Sequence, residues 1–215
     1  MISYKLHLIR TGSTAMDAHP RLVGQQDLPL SPQGVAELKQ LKKDLIYPKV
    51  QEVYTSPLRR CVQTGYQLFP DTFTQVLPGL QDLGLGDFEG QTVAQLQEQP
   101  DFRLWLEDAR QNPPPGGEDL DAFLGRIVAS VEEIFHTMMD QRITSAALIT
   151  HRGVIMTLLA AICLPKQPVS QWAVANGTGF TLLATPQMWM RDHAMEVFAP
   201  IPNLPDAAEE DDYWL

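Results

Sequence analysis

The sequence predicts an α/β fold built on a parallel sheet with helical crossovers. Three observations point there. The stretch Tyr4 to Thr14, YKLHLIRTGST, places Leu6, Leu8 and Ile9 in one short buried strand that runs into a polar loop turning on Gly12. Strand, helix, strand and helix then follow in order, the pattern of parallel strands joined by crossovers. Ser145 to Thr150 repeats the opening with a buried strand, the polar His151-Arg152-Gly153 and an apolar helix. At 215 residues and 44% hydrophobic content the chain can bury one large core.

The elements follow in chain order. After the first strand, Arg10 and the hydroxyls of Thr11, Ser13 and Thr14 sit on a Gly turn at a strand's carboxyl end, where a guanidinium and backbone amides suit an anion such as phosphate. Ala15 to Pro29 is polar and Pro-containing, an irregular loop able to fold over a ligand. Ser31 is an N-cap with Pro32 at the first helical position, and Val35, Leu38, Leu41 and Leu45 line one helix face. Gln51 to Thr55 is a second strand, and Ser56-Pro57 caps a helix from Leu58 to Leu68. Arg59 and Arg60 fall in its first turn, where a positive charge opposes the helix dipole, so a role for one of them at the sheet edge is expected.

Gln75 to Leu77 is a short third strand, followed by a Gly-rich loop in which Glu89 stands between Phe88 and Gly90. A helix starts near Thr92. Residues from about 91 to 118 form a helical insertion beside the site, with Arg103, Trp105 or the PPPGGE turn as substrate selectors. Asp121 to Met139 is a long helix with Phe123, Ile127, Val131, Ile134 and Phe135 on its apolar face. His151, at a strand end ahead of a helix, is poorly placed for core packing and well placed as an imidazolium donor or proton shuttle. Thr178 to Ala184 and Ala194 to Val197 are the last strands. The single domain spans 1–200, and 201–215 is an acidic, mobile tail.

Composition narrows the function. The net charge of −10 includes Asp206, Glu209, Glu210, Asp211 and Asp212 in the tail, without which the body carries −5. No basic surface for nucleic acid is indicated. The longest apolar run, Val154 to Leu164, is too short to span a bilayer, and the first strand leaves no room for a secretory signal, so a cytoplasmic protein is expected. Cys61 and Cys163 read as core residues, with no disulfide and no zinc spacing. No Gly-x-Gly-x-x-Gly follows the first strand, which disfavours a nicotinamide-binding oxidoreductase.

Taken together, LIRTGST, GQQDLPLSPQG, TSPLRRCVQT, GDFEG and ITHRGVI have the order and spacing of the histidine phosphatase superfamily, the phosphoglycerate mutase-like fold. The resemblance covers the chain to about Val197. The FxxW helix, PPPGGED and the pair Phe123 and Arg126 look most like the α-ribazole-phosphate phosphatases of cobalamin synthesis. It implies a three-layer sandwich, a mostly parallel sheet with helices on both faces. It also implies a pocket in which Arg10, Arg60 and His151 hold a phosphoryl group while Glu89 protonates the leaving oxygen. Two guanidiniums and an imidazolium stabilise the equatorial oxygens without metal or other cofactor. The partner is a small phosphorylated metabolite, α-ribazole 5'-phosphate among them, or inorganic phosphate. Asp17 stands where the family often has Asn and adds negative charge, and Asp82 replaces another acidic residue upstream of Glu89.

The main departure is Thr11. The family's nucleophile is the histidine of Arg-His-Gly, and this chain has Arg-Thr-Gly. A threonine hydroxyl needs an adjacent base, and the reading here is that an arginine-rich pocket keeps His151 protonated and unavailable. Attack by Thr11 would give a stable ester where the family forms a labile phosphoimidazole. The shorter side chain leaves room for about one water molecule, a possible in-line nucleophile. Of the other histidines His7, His136 and His193 lie away from the loop, and only His19 could approach. Two readings therefore stand: a phosphomonoesterase with reduced or altered activity, and a phosphate-ligand binding pseudoenzyme.

Overall fold

The computed structural model describes residues 2–18 and 21–205. His19 and the acidic residues from Asp206 onward, on which two of the expectations fall, lie outside the described residues.

A seven-stranded sheet runs through the molecule in the order β3-β2-β4-β1-β6-β7-β5. Its strands are β1 (Tyr4–Arg10), β2 (Glu52–Thr55), β3 (Thr74–Val76), β4 (Ser145–Thr150), β5 (Cys163–Leu164), β6 (Gly179–Ala184) and β7 (Met195–Ile201). β3, β2, β4 and β1 are parallel neighbours, whereas β6 runs antiparallel to both β1 and β7. Leu8 is central, opposite Leu148 on one side and Phe180 on the other. The helices are α1 (Pro32–Asp44), α2 (Arg59–Leu68), α3 (Val93–Leu96), α4 (Pro100–Glu107), α5 (Leu120–Gln141), α6 (Arg152–Ile162) and α7 (Pro186–Asp192). This is the expected mixed α/β architecture with a mostly parallel sheet.

The strand period of two builds the layers. Leu6 and Leu8 of β1, Tyr54 of β2 and Ala146 and Leu148 of β4 pack with Phe123, Ile127, Ile134, Leu158 and Leu159 of α5 and α6. The alternate residues Ile9, Val53, Ala147 and Ile149 pack with Leu38 of α1 and Cys61 and Leu68 of α2. Each fully buried aliphatic side chain of this kind contributes about 1.5–3 kcal/mol. The insertion has a small core of its own, Leu85, Phe88, Leu96 and Phe102, with Leu22, Leu83 and Trp105 against it.

Capping explains several boundaries. Ser31 Oγ accepts from the Gly34 amide at 2.9 Å, as its position before Pro32 predicts. Asp119 accepts from the amides of Asp121 and Ala122 to start α5. Ser56 does not cap α2: the helix begins after Leu58 without a side-chain cap, because the Ser56 hydroxyl is buried and turned toward His151.

The expected tail boundary is also corrected. β7 runs on to Ile201, which is buried and pairs with Gly179, and Asn203 exchanges two backbone hydrogen bonds with Ile46. Ile201 therefore belongs to the sheet, and an isolated bridge ties Asn203 to Ile46. Burial of Ile201 and the paired backbone hold them in place.

Candidate active site

The carboxyl ends of four adjacent parallel strands deliver the site. β1 ends at Arg10 and Thr11, with Arg10 opposite Thr150, so the neighbouring strand β4 brings His151 to the same level. Beyond it β2 leads to Ser56 and, through the start of α2, to Arg60. β3 leads through a short 3-10 turn, Pro78–Leu80, to Asp82. A cavity of about 500 Å³ is lined by Arg10, Thr11, Arg60, Asp82 and His151, with Leu22, Leu83, Leu85 and Trp105 forming an apolar wall. Its position outside the carboxyl ends of the strands is where open α/β sheets bind ligands.

Arg60 is buried and firmly held. Its Nη2 donates to Gly24 O at 2.6 Å, its Nη1 to Gln26 O at 2.7 Å and its Nε to His151 Nδ1 at 3.3 Å. Those bonds use three of the five guanidinium N–H groups and leave two for a ligand. Arg10 donates to Val174 O at 2.8 Å and lies 3.6 Å from Asp17. The other Asp17 oxygen accepts from the amide and hydroxyl of Thr14, so this acid organises the loop as well as offsetting Arg10.

His151 is 1% exposed. Because Arg60 Nε–H can only donate, Nδ1 must accept, which puts the ring proton on Nε2, 2.8 Å from Ser56 Oγ. Burial first, then the charges of Arg60, Arg126 and Arg10, hold its pKa well below the ordinary histidine value. The expectation that the arginines keep His151 protonated is thus overturned, since burial and nearby cations disfavour the proton. Cys61 packs against the ring, its Sγ 3.5 Å from Nε2, and burial pushes its thiol up to about 12.

Asp82 lies 3.8 Å from His151 Nδ1, and its side chain is 16% exposed. Burial raises its pKa to about 7 against the opposing pull of the Leu83 amide and Arg60. Its backbone is fixed by Arg126, which donates to the carbonyls of Gly79, Gln81 and Asp82 and forms a bidentate pair with Glu118.

Glu89 is placed differently from the expectation. Its carboxylate accepts from the amides of Gly24 (2.7 Å), Gln26 (3.2 Å) and Gln25 (3.3 Å), and it is not among the cavity-lining residues. The short turn Gly86–Phe88 buries Phe88 and directs Glu89 against that loop. Asp82, a minor change in the sequence, lines the cavity together with Asp17, and of the two it is the one beside His151.

Thr11 lines the cavity and is nearly buried. Its Oγ1 is 3.2 Å from Thr64 Oγ1 and 3.3 Å from Gly12 O. Thr64 spends its proton on Arg60 O and accepts from the Gly12 amide, so Thr11 is the donor of the pair. Among the described residues neither an imidazole nor a carboxylate accepts from the Thr11 hydroxyl. Of the proposed selectors only Trp105 lines the cavity, along with Arg152, Gly153 and Asn176, to which the sequence assigns no role. The PPPGGE turn instead braces the loop beneath, through Pro115 O to the Asp87 amide and Gly84 O to the Glu118 amide.

A mostly parallel sheet with guanidinium, imidazole and carboxyl groups at its carboxyl edge defines an α/β protein equipped to bind a phosphoryl group. The family follows from the sequence match: the model of the histidine phosphatase superfamily (branch 1) matches residues 6–190, and the chain belongs to that superfamily. It is 30% identical over 189 residues to the glucosyl-3-phosphoglycerate phosphatase of Mycobacterium tuberculosis, covering 83% of each chain. It is 24% identical over 178 residues to the adenosylcobalamin/alpha-ribazole phosphatase of Escherichia coli, covering 80% of this chain and 86% of the relative. The solved structure of a mycobacterial glucosyl-3-phosphoglycerate phosphatase superposes with a TM-score of 0.75 at 27% identity, over 91% of this chain and 97% of that one.

Proposed function

We propose that the protein binds the phosphoryl group of a small phosphorylated metabolite and hydrolyses the ester slowly, with water in place of the family's histidine nucleophile. The observation that carries this reading is the meeting of Arg10, Arg60, His151 and Asp82 on one cavity. Arg10 and Arg60 hold the equatorial oxygens. A bound dianion reverses the local potential at His151 and lets it take a proton and donate. Asp82, protonated up to about pH 7, protonates the ester oxygen as the P–O bond breaks, in the role first given to Glu89. Water attacks in line, the new P–O bond forms, and its proton passes to a phosphoryl oxygen. Thr11 supplies no attack, because its hydroxyl meets only the Gly12 carbonyl and the Thr64 hydroxyl and has no base.

The substrate is a small phosphomonoester. The relatives' names include glucosyl-3-phosphoglycerate, α-ribazole phosphate and phosphoserine, which makes all three rational assays. The second reading, binding without turnover, is favoured by the same unactivated Thr11. The test is steady-state hydrolysis of p-nitrophenyl phosphate and α-ribazole phosphate by the wild type and by Thr11→His. The substitution is expected to raise turnover by at least about 10²-fold. Equal rates would reject Thr11 as the cause of slow turnover. No measurable wild-type rate, with phosphate binding intact and activity in Thr11→His, would establish the pseudoenzyme. Calorimetry tests the pocket: absence of phosphate or vanadate binding, or affinity unchanged by Arg60→Ala, would reject phosphate recognition.

A further inference from the structure

We propose that the side-chain oxygen of Asn176 holds the attacking water in line with the phosphorus, in a site that has no histidine nucleophile. This rests on the phosphomonoester reading above. Asn176 lines the same cavity as Arg10, Thr11 and Arg60. Its Nδ2 donates to Thr11 O at 3.1 Å, which brings the carboxamide to the nucleophile position at the end of β1. Because a carbonyl can only accept, the NH2 group must face Thr11, and Oδ1 is thereby turned to the other side of the amide. Among the described residues no group donates to that oxygen.

A phosphoryl dianion is met by donors, and Arg10, Arg60 and His151 supply them. An attacking water needs the reverse, an acceptor that turns its lone pair toward phosphorus, and a neutral acceptor does so without repelling the dianion. The two carboxyl groups on the cavity are engaged elsewhere: Asp17 accepts from Thr14 beside Arg10, and Asp82 is assigned to the leaving oxygen. Sheet order separates the two ends of the displacement. Asp82 follows β3 and Asn176 precedes β6, so in the order β3-β2-β4-β1-β6 they flank the strands that lead to Arg60, His151 and Arg10. An in-line displacement needs its attacking and leaving oxygens on opposite sides of phosphorus. The loop that carries Asn176 is firmly seated: Val174 O accepts from Arg10 Nη1 at 2.8 Å, the Gly177 amide donates to Arg10 O at 2.9 Å, and Tyr47 Oη donates to Gly177 O at 2.7 Å. In the step itself the water oxygen bonds to phosphorus as the bond to the leaving oxygen breaks. Asp82 gives its proton to that oxygen, and one water proton passes to a phosphoryl oxygen. Asn176 accepts a hydrogen bond throughout and gains no proton.

The test measures p-nitrophenyl phosphate hydrolysis after Asn176→Ala in the wild type and in Thr11→His, with calorimetry of inorganic phosphate on each full chain. In the wild type kcat is expected to fall by about tenfold or more, with KM and phosphate affinity within about threefold. In Thr11→His the imidazole attacks, and the water that later cleaves the phosphoimidazole enters from the leaving-group side, so the same substitution is expected to cost less than about threefold. An equal loss in both backgrounds would show that Asn176 only braces the Thr11 backbone and overturns the proposal, as does an unchanged wild-type kcat. Where alanine abolishes phosphate binding, Asn176→Ser is read in its place, and loss of binding in both variants also overturns the proposal, since Asn176 would then serve the fold of the pocket. A wild type that binds phosphate without turnover overturns it too and leaves phosphate recognition standing. If inorganic phosphate does not bind the wild type, the phosphomonoester reading falls and this proposal with it.

Discussion

Arg60 and Glu89 grip opposite edges of one tripeptide. The guanidinium donates to the carbonyls of Gly24 and Gln26, and the carboxylate accepts from the amides of Gly24, Gln25 and Gln26. Gly24 itself is packed so closely that a Cβ would collide with Leu83 O. Glu89 therefore supports the proposed phosphate site through the loop that holds Arg60. Glu89→Ala is expected to lower phosphate affinity by about tenfold and stability by about 1–2 kcal/mol, since hydrogen bonds to a charged acceptor are lost while the amides regain water. The pH dependence of turnover should keep its shape. Calorimetry with inorganic phosphate and a pH–rate profile check this, and a changed pH limb would return the proton-donor role to Glu89.

Asp82 is expected to set that limb. Its raised pKa keeps it protonated below about pH 7, so turnover falls as pH rises through about 7. Asp82→Asn should cost at least about 10²-fold in rate and flatten the limb, read most easily in the Thr11→His background. The stability sign follows from linkage. A group whose folded pKa lies above its unfolded value contributes stability below the unfolded pKa, and that contribution is lost as pH rises through the folded one. Above pH 7 the buried charge therefore costs stability, and Asp82→Asn should unfold later than the wild type by on the order of 1–4 kcal/mol. Denaturant melts at pH 5 and pH 8.5 measure it, and an equal difference at both would contradict the burial of this carboxyl.

The contrast between these two acids shows where sequence reading succeeds. Arg10, Arg60 and His151 were legible because each follows a strand or opens a helix, and strand ends are set by apolar periodicity, which survives in sequence. Asp82 follows β3 by the same rule. Its role is less legible because β3 is only three residues long and the Phe-Glu-Gly wedge makes Glu89 the more conspicuous acid. Which acid turns inward depends on the Gly86–Phe88 turn and on Arg126 fixing the 79–82 carbonyls, both products of tertiary packing. β5, with two residues, has no periodic signal. α7 did carry a start signal in Thr185-Pro186, whose hydroxyl accepts from the Met188 amide.

His7, distant from the site, governs acid stability. It is buried on β1 between Thr181 Oγ1 at 2.9 Å and Ser145 Oγ at 3.2 Å, and burial lowers its pKa to about 4. A histidine with a depressed folded pKa contributes stability above its unfolded value of 6.5, and that contribution is lost as pH falls toward 4. The loss over this window is expected to be about 2–3 kcal/mol. His7→Gln keeps hydrogen-bonding capacity without a titrating group, so its stability should change less between pH 6.5 and 4.5. Parallel urea melts decide it: identical pH slopes in the two proteins would show that another group carries the acid transition.

Gly153 couples the start of α6 to Asp82, the proposed proton donor. A Cβ at this position would lie 2.9 Å from Asp82 Oδ1, closer than side chains pack, and no other neighbour falls within 3 Å. The backbone there is helical, so alanine is conformationally allowed and has the better helix propensity. The new methyl group must therefore move the carboxyl, and the fold should lose less than about 1 kcal/mol. Displacing the acid from its hydrogen-bonding position should lower kcat by about tenfold or more while phosphate affinity, held by Arg10 and Arg60, changes little. Gly153→Ala measured in the Thr11→His background separates these effects. A fall in phosphate affinity with kcat unchanged would mean that Asp82 acts on binding and that the proton comes from elsewhere.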